Sequence, residues 1–445
     1  MSDPHLVSLS CRCDGLSPQA MLASARDRER FYWHEDGLAF VGVGLAAEIT
    51  AWGDRRFAAV EEKARALFQG VRVLDESEPL AQPRLFGGFS FQSDFVTEHT
   101  WAQFAPAYFV LPHYQLFQRG DETWLTLNVQ LGPDEPIDEE ALRAALDEAC
   151  SALRSSEGIH TIQSQPLRID YPMPLSEWTR LIESAVSRMR DGDLKKVVLA
   201  RVAELRFAGR VQVEAALDYL DASYPGTYRF LFEPIPHLAF FGATPELLVC
   251  VQGTSIETMA LAGSIKRGGA QAEDDALAAA ILADPKERHE HALVVDGIRE
   301  RLGPLSARLD IPPEPAVLRL KNIQHLHTPI SGTLREATGV LPLVEALHPT
   351  PAMGGSPRIE ALEFIRRMEP VPRGWYAAPV GWIDSHLDGK FAVAIRSAVS
   401  QQDRVWLYAG AGIVADSQPS REWEETALKF RPMLNALGAS IDVLA

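Results

Sequence analysis

The chain has 445 residues, 46% of them hydrophobic and 23% charged, the balance of a soluble globular protein with one large or two ordinary domains and an ample core. Sixty acidic residues against 43 basic ones leave a formal charge of −17, which excludes nucleic acid or an anionic membrane as a general partner. A small anionic substrate would therefore need local positive charge or a metal.

In chain order, residues 5–45 alternate short apolar runs with polar breaks and read as strands. The N-terminal MSDPHLVSLS has neither a basic nor an apolar leader region, and no run approaches about 18 apolar residues, so a cytoplasmic protein is expected. Cys11, Cys13, Cys150 and Cys250 form no CxxC pair and no zinc spacing; Cys11 and Cys13 are expected as free thiols. Gly42 to Ala47 matches GxGxxA, but the next helix, expected over 54–68, starts too late for its N-terminus to meet a pyrophosphate. A turn at a strand end is the better reading. Strands follow around 87–91, 107–112 and 122–131, and an acidic helix over 133–155. The polar, proline-bearing stretch 155–174 separates an N-terminal mostly-β part, 1–160, from a second part, 161–445. Helices are expected over 175–190, 211–223, 271–283 and 286–302. Strands lie between them at 196–201, 228–232, 237–241 and 247–251. A last helix runs from Arg421 past Phe430, with Trp423, Ala427, Phe430 and Leu434 as its packed face.

Several constellations carry chemistry. Glu287 and Glu290 share one helix face, whereas His289 and His291 point roughly 200° apart and cannot hold one ion together. Glu422, Glu425 and Lys429 form a similar stripe on the last helix. Taken together, two helix-borne carboxylate pairs form an all-oxygen set that suits magnesium; the alternative is a solvated, salt-bridged surface. Lys196 heads an apolar strand, where a snorkelling end residue is the bland reading. Glu246 follows Thr244-Pro245 between two apolar runs, so desolvation should keep it protonated, while a buried lysine near a metal tends to the free amine. Such a pair makes a general acid and a general base. Arg396, within an apolar strand, needs an anionic partner, either an internal carboxylate or a substrate. The small-residue loops 261–264 and 409–412 allow a ligand close to the backbone, and His348–Pro357 is a rigid turn.

The ordered motifs KKVVLAR, GATPELLV, LAGS, KERHEH, NIQHL, HPTPAMGGSPR, RGWYAAPVGW, AIRS, YAGAGIV and EWEETALK resemble the chorismate-utilising enzymes and, within them, the isochorismate synthases. The resemblance covers roughly 172–437, with a weaker extension through GGFSF and AYFVLP. It implies an α+β fold of two large, mostly antiparallel sheets packed between helices, with 161–445 as the chorismate-binding part. It also implies a small-molecule substrate, chorismate, with magnesium and no redox cofactor, in a monomer or weak homodimer. By position, Lys196 matches the lysine that activates water and Glu246 the acid that protonates the departing hydroxyl. Glu290 and Glu425 match the direct magnesium ligands, with Glu287 and Glu422 beside them. Tyr376, Arg396, Gly410 and Lys429 match groups that hold substrate carboxylates, and Gly263, Ser264 and His325 line the pocket. Ala352 and Met353 stand where pocket shape would decide the product.

Aminating relatives carry glutamine at the Lys196 position. Salicylate synthases keep the lysine, release pyruvate, and tend to have threonine at the Ala352 position. A non-catalytic acidic cation-binding protein would have no reason to place Lys196 and Glu246. The product's destination, menaquinone or a catecholate siderophore, is open, and the long N-terminal part leans toward menaquinone.

Overall fold

The computed structural model describes residues 5–75, 78–97, 99–132, 135–155 and 164–439. Side-chain alternation explains its layers. In the strand Tyr228–Ile235, Phe230 and Phe232 enter one apolar core and Leu231 another, so both faces of the strand are covered. Among the described residues, one sheet has thirteen strands and a second has ten. All pairings are antiparallel except Leu6–Ser8 on Val71–Val73. The expected α+β arrangement of two large sheets and surrounding helices is the one observed.

Aromatic residues from the two sheets fill the space between them. Phe40 of the larger sheet lies 5.7 Å from Trp382 and 5.9 Å from Phe86 of the smaller one, and Phe232 lies 5.3 Å from Tyr108. The outer face of the larger sheet is covered by helices that contribute Leu217, Leu220, Phe430 and Leu434 to a second apolar cluster. No helix among the described residues is long and apolar enough to cross a membrane.

Both sheets are seamed from early and late chain. In the larger, Arg30–Glu35 pairs with Tyr228–Ile235, Tyr32 facing Leu231; in the smaller, Arg84–Phe89 pairs with Pro379–Asp384, Gly87 facing Gly381. The boundary expected at 160 lies outside the described residues, and strands from either side of it share both sheets.

The sequence signals for helices hold closely at Leu175–Arg190 and Gln271–Ala283. Pro285–Leu302 starts where Asp284 caps Lys286 N and Glu287 N, with a proline at the first helical position. Three expectations need correction. The acidic helix starts at Glu139, where Asp138 accepts from Ala141 N, so residues 135–138 are not helical. The last helix, Pro419–Ala436, starts two residues before Arg421, because Pro419 fits its first position; its buried face includes Thr426 and Met433, whereas Trp423 and Ala427 are half-buried. Finally, Cys13 is not a free thiol. It is disulfide-bonded to Cys150, 137 residues away, because helix Glu139–Ser155 packs beside strand His5–Arg12; Cys11 keeps its thiol. Gly44, at φ +70°, sits in the turn between strands Leu38–Val43 and Ala47–Ala51, so the GxGxxA match is a strand-end turn.

Candidate active site

A cleft partly open to solvent gathers residues from both sheets and two helices. The strand Lys196–Arg206 pairs with Arg404–Ile413, Val198 facing Gly412. That neighbour lacks a side chain for a steric reason: a Cβ on Gly412 would stand 2.5 Å from Glu290 Oε1 and 3.2 Å from Lys196 Cε. Lys196 is buried, its Nζ 2.8 Å from Glu290 Oε1, close enough to pair but off the hydrogen-bonding axis. The bland reading of a snorkelling strand end therefore fails, since the side chain is buried against Glu290 and does not extend to the surface.

Two arginines tie these pieces together. Arg201, on the Lys196 strand, donates to Thr426 Oγ1 at 2.7 Å and Trp423 O at 3.2 Å, and lies 3.5 Å from the Trp423 ring centroid. It thereby fixes the start of the helix that carries Glu422, Glu425 and Lys429. Arg373 donates to Met353 O at 2.9 Å and Val198 O at 2.7 Å and is paired with Glu369, whose other bond is to Ala200 N. This clamp holds the Ala352-Met353 loop against the same strand.

Four carboxylates face each other across two helices, with three ammonium groups among them. Lys196 pairs with Glu290, Lys429 with Glu425 at 2.5 Å, and Lys286 lies 3.6 Å from Glu422 and 3.8 Å from Glu287. Burial and then the charge of Glu290 push Glu287 up to about 7; burial and then Glu425 do the same to Glu422. Burial also acts upward on Glu290, but Lys196, Lys429 and Lys286 outweigh it and hold that carboxyl below its ordinary value. Fully ionised, the four carboxylates would exceed the three ammonium groups by one charge. Among the described residues, no three of its carboxylates bring oxygens within 4.8 Å of one another.

On the opposite wall, Glu246 is buried between strands Leu238–Thr244 and Leu247–Gln252, and desolvation, only partly offset by Lys196, Lys429 and Arg396, pushes it up to about 8. Arg396 is buried at the switch between the two sheets, with φ +51°. Among the described residues its guanidinium makes no ion pair within 4.0 Å, and its one side-chain hydrogen-bond contact is His325 Nε2, at 3.4 Å. A guanidinium can only donate, so His325 Nε2 accepts and Nδ1 carries the proton toward Gly263 O, 3.1 Å away, with Ser264 Oγ at 3.0 Å. Burial and the Arg396 and Lys429 charges keep that imidazole neutral. Tyr376 stacks on Tyr408 at 5.1 Å, and Lys429 Nζ donates to Gly410 O at 2.9 Å. Gly263 needs its φ of +77°, and a Cβ there would meet Glu287 Oε2 at 3.0 Å.

Residues 1–438 match the family described as "Chorismate binding enzyme". The chain belongs to the chorismate-binding enzymes. It is 38% identical over 442 residues to the salicylate biosynthesis isochorismate synthase of Pseudomonas aeruginosa, covering 98% of this chain and 91% of that one. To the isochorismate synthase MenF of Bacillus subtilis it is 36% identical over 447 residues, covering 97% and 93%. The solved structure of MenF, the menaquinone-specific isochorismate synthase of Escherichia coli, superposes with a TM-score of 0.82 at 28% identity, covering 98% of this chain and 95% of that one.

Within this chorismate-binding enzyme, the cleft is lined by Glu246, Gly263, Ser264, Glu290, His325, Ala352, Met353, Tyr376, Arg396, Gly410, Glu425 and Lys429. Lys196 and Glu287 stand behind that lining, in contact with it through Glu290 and Ser264, and Glu422 is paired with Lys286, outside the lining. His289 is exposed, and buried His291 turns away to Thr328 Oγ1 at 2.8 Å, as their helical spacing requires. Sequence reasoning missed Arg373 and Lys286, and it read Gly412 as part of a small-residue loop, whereas the residue lies in the strand Arg404–Ile413 and makes room for Glu290 and Lys196. Arg373 sits in RGWYAAPVGW beside Tyr376 and Lys286 beside Glu287, so motif context held a signal for both. Gly412 had only its small size.

Proposed function

We propose that this enzyme is an isochorismate synthase, converting chorismate to isochorismate with magnesium held by Glu290 and Glu425 and, beside them, Glu287 and Glu422. One observation carries the reading: a buried, unpaired guanidinium, Arg396, faces a cleft whose far wall is carboxylate-rich. An unpaired buried charge is costly, so it calls for an anionic ligand, and the carboxylate wall excludes that anion unless a cation covers it. The quartet suits this cation: its donors are all oxygen, and two of its members are pushed up to about 7, by burial first and then by a neighbouring carboxylate. Bound there, a divalent ion would neutralise a substrate carboxylate and fix its place.

The chain's own residues supply the rest. Arg396, Tyr376 and Lys429 receive the carboxylates of the substrate, and the neutral His325 keeps Arg396 oriented. In this reading Lys196 is the group that takes a proton from a water whose oxygen bonds to ring carbon 2. The two ring double bonds shift by one position each, the bond from carbon 4 to its hydroxyl breaks, and Glu246 donates the proton with which that hydroxyl leaves as water. Glu246 is suited to this because it holds its proton at neutral pH. Ala352 offers no hydroxyl, and Met353, its carbonyl fixed by Arg373, restrains the enolpyruvyl ether, so the ether stays on the ring.

The test is purified protein with chorismate and magnesium, with chromatography of the ring product beside pyruvate coupled to lactate dehydrogenase. Isochorismate with little pyruvate is expected, and no turnover in excess chelator. Stoichiometric pyruvate and salicylate would replace this reading by that of a salicylate synthase, and full turnover in chelator would remove the metal from it.

A further inference from the structure

Away from the cleft, three sulfur atoms meet where the strand His5–Arg12 packs against the helix Glu139–Ser155. Cys11 and Cys13 are two residues apart and project from the same side of an extended chain. Cys150 approaches them from the helix. Cys11 Sγ is 3.1 Å from Cys13 Sγ and 3.7 Å from Cys150 Sγ, and the latter two are bonded to each other. All three sulfurs lie within 4.8 Å of one another, and among the described residues they are the one such group of three or more histidine, cysteine or carboxylate ligands.

We propose that the reduced protein carries, at Cys11, Cys13 and Cys150, a three-sulfur site for a soft monovalent cation of the copper(I) class. Thiolates select soft ions. Zinc sites take four ligands, commonly cysteine with histidine, and among the described residues no histidine or carboxylate joins this group. Three ligands from two packed elements fit a three-coordinate ion. Cys13 is anchored by its N–H to Thr123 O at 2.8 Å, and Cys150 is set within the helix, so little of the site needs ordering when the ion arrives. Opening the disulfide takes two electrons and two protons and gives two thiols; a phosphine reductant supplies the electrons and becomes its oxide with oxygen from water. Metal binding then displaces thiol protons.

The experiment uses the whole protein, reduced without oxygen by a phosphine, loaded with copper(I) and challenged with a chromophoric copper(I) chelator. Retention of one ion per chain with near-ultraviolet thiolate-to-metal absorption is expected. Cys11→Ser should hold copper more weakly by upward of about tenfold, and Cys250→Ser, on the other sheet, should match the unaltered protein. Cys11→Ser keeps the Cys13 and Cys150 pair, so its return to the disulfide on reoxidation, read by mass, verifies that it is folded. Isochorismate formation should be equal in all of them. Equal copper affinity in Cys11→Ser and the unaltered protein, loss of all copper to the chelator, or displacement of copper by one equivalent of zinc would overturn the assignment.

Discussion

Replacing Gly412 by alanine tests the site's geometry with little risk to the fold. Gly412 lies in a regular strand opposite Val198, a conformation that alanine adopts freely, so folding should tolerate the change. The added methyl would stand 2.5 Å from Glu290 Oε1, 3.2 Å from Glu290 Cδ and 3.2 Å from Lys196 Cε. Ordinary contact is about 3.5 Å, so the Glu290 carboxyl must withdraw by about 1 Å, and Lys196 with it. A displacement of that size at a reacting centre costs about 100-fold in rate, which is about 2.7 kcal/mol of activation free energy. The assay is chorismate turnover across a magnesium titration, with thermal unfolding alongside. Lower kcat, a higher magnesium requirement and a near-unchanged Tm are expected. Gly410→Ala, whose methyl would meet Leu199 O and Tyr376 Oη at 3.2 Å each, should act on KM for chorismate instead. Unaltered turnover and magnesium dependence in Gly412→Ala would refute the claim that Glu290 and Lys196 are positioned by contact.

Because Glu246 keeps its proton to about 8, turnover should fall as pH rises through that value, and Glu246→Gln should lose about 100-fold in kcat along with that limb of the profile. The same raised value makes the unfolded chain release this proton first, so Glu246 lowers stability progressively as pH climbs from the ordinary carboxylate range toward 8, visible as a falling Tm absent from Glu246→Gln. Arg396→Met should raise or leave unchanged the Tm, since it removes a buried unpaired charge, while lowering kcat/KM for chorismate by about 10- to 100-fold; a large loss of Tm would mean that Arg396 serves the fold. Lys196→Ala should still bind chorismate in calorimetry yet lose about 100-fold or more in turnover, and near-normal turnover in the folded variant would remove it from the mechanism. Met353→Ala, by freeing the ether, should release more pyruvate per isochorismate formed; an unchanged ratio would place product control elsewhere.

What could be read in advance depended on whether the cause was local. Helix Pro285–Leu302 was legible because Asp284 and Pro285 act on their own turn. The burial of Glu246 followed from the apolar runs on both sides of it, and the split between His289 and His291 from helical spacing alone. Causes that act across the fold were not legible. The bond between Cys13 and Cys150 depends on a helix settling beside a strand 137 residues away in sequence. Nothing near Lys286 in the chain announces Glu422, and only the approach of the last helix brings that carboxylate to it. Arg396 could not be assigned between an internal partner and a substrate until its surroundings contained no carboxylate within pairing distance.

The seams between early and late strands also set a timetable. Gly87 faces Gly381 and Tyr32 faces Leu231, so on a ribosome adding about 5–20 residues per second the strand around Gly87 waits roughly 15–60 s for its second neighbour to be made. During that interval the N-terminal part carries two open sheet edges and an uncovered aromatic face, the features that draw other chains into pairing. The distance along the chain that lets one cleft take residues from both sheets is therefore also an interval in which the nascent protein depends on being shielded.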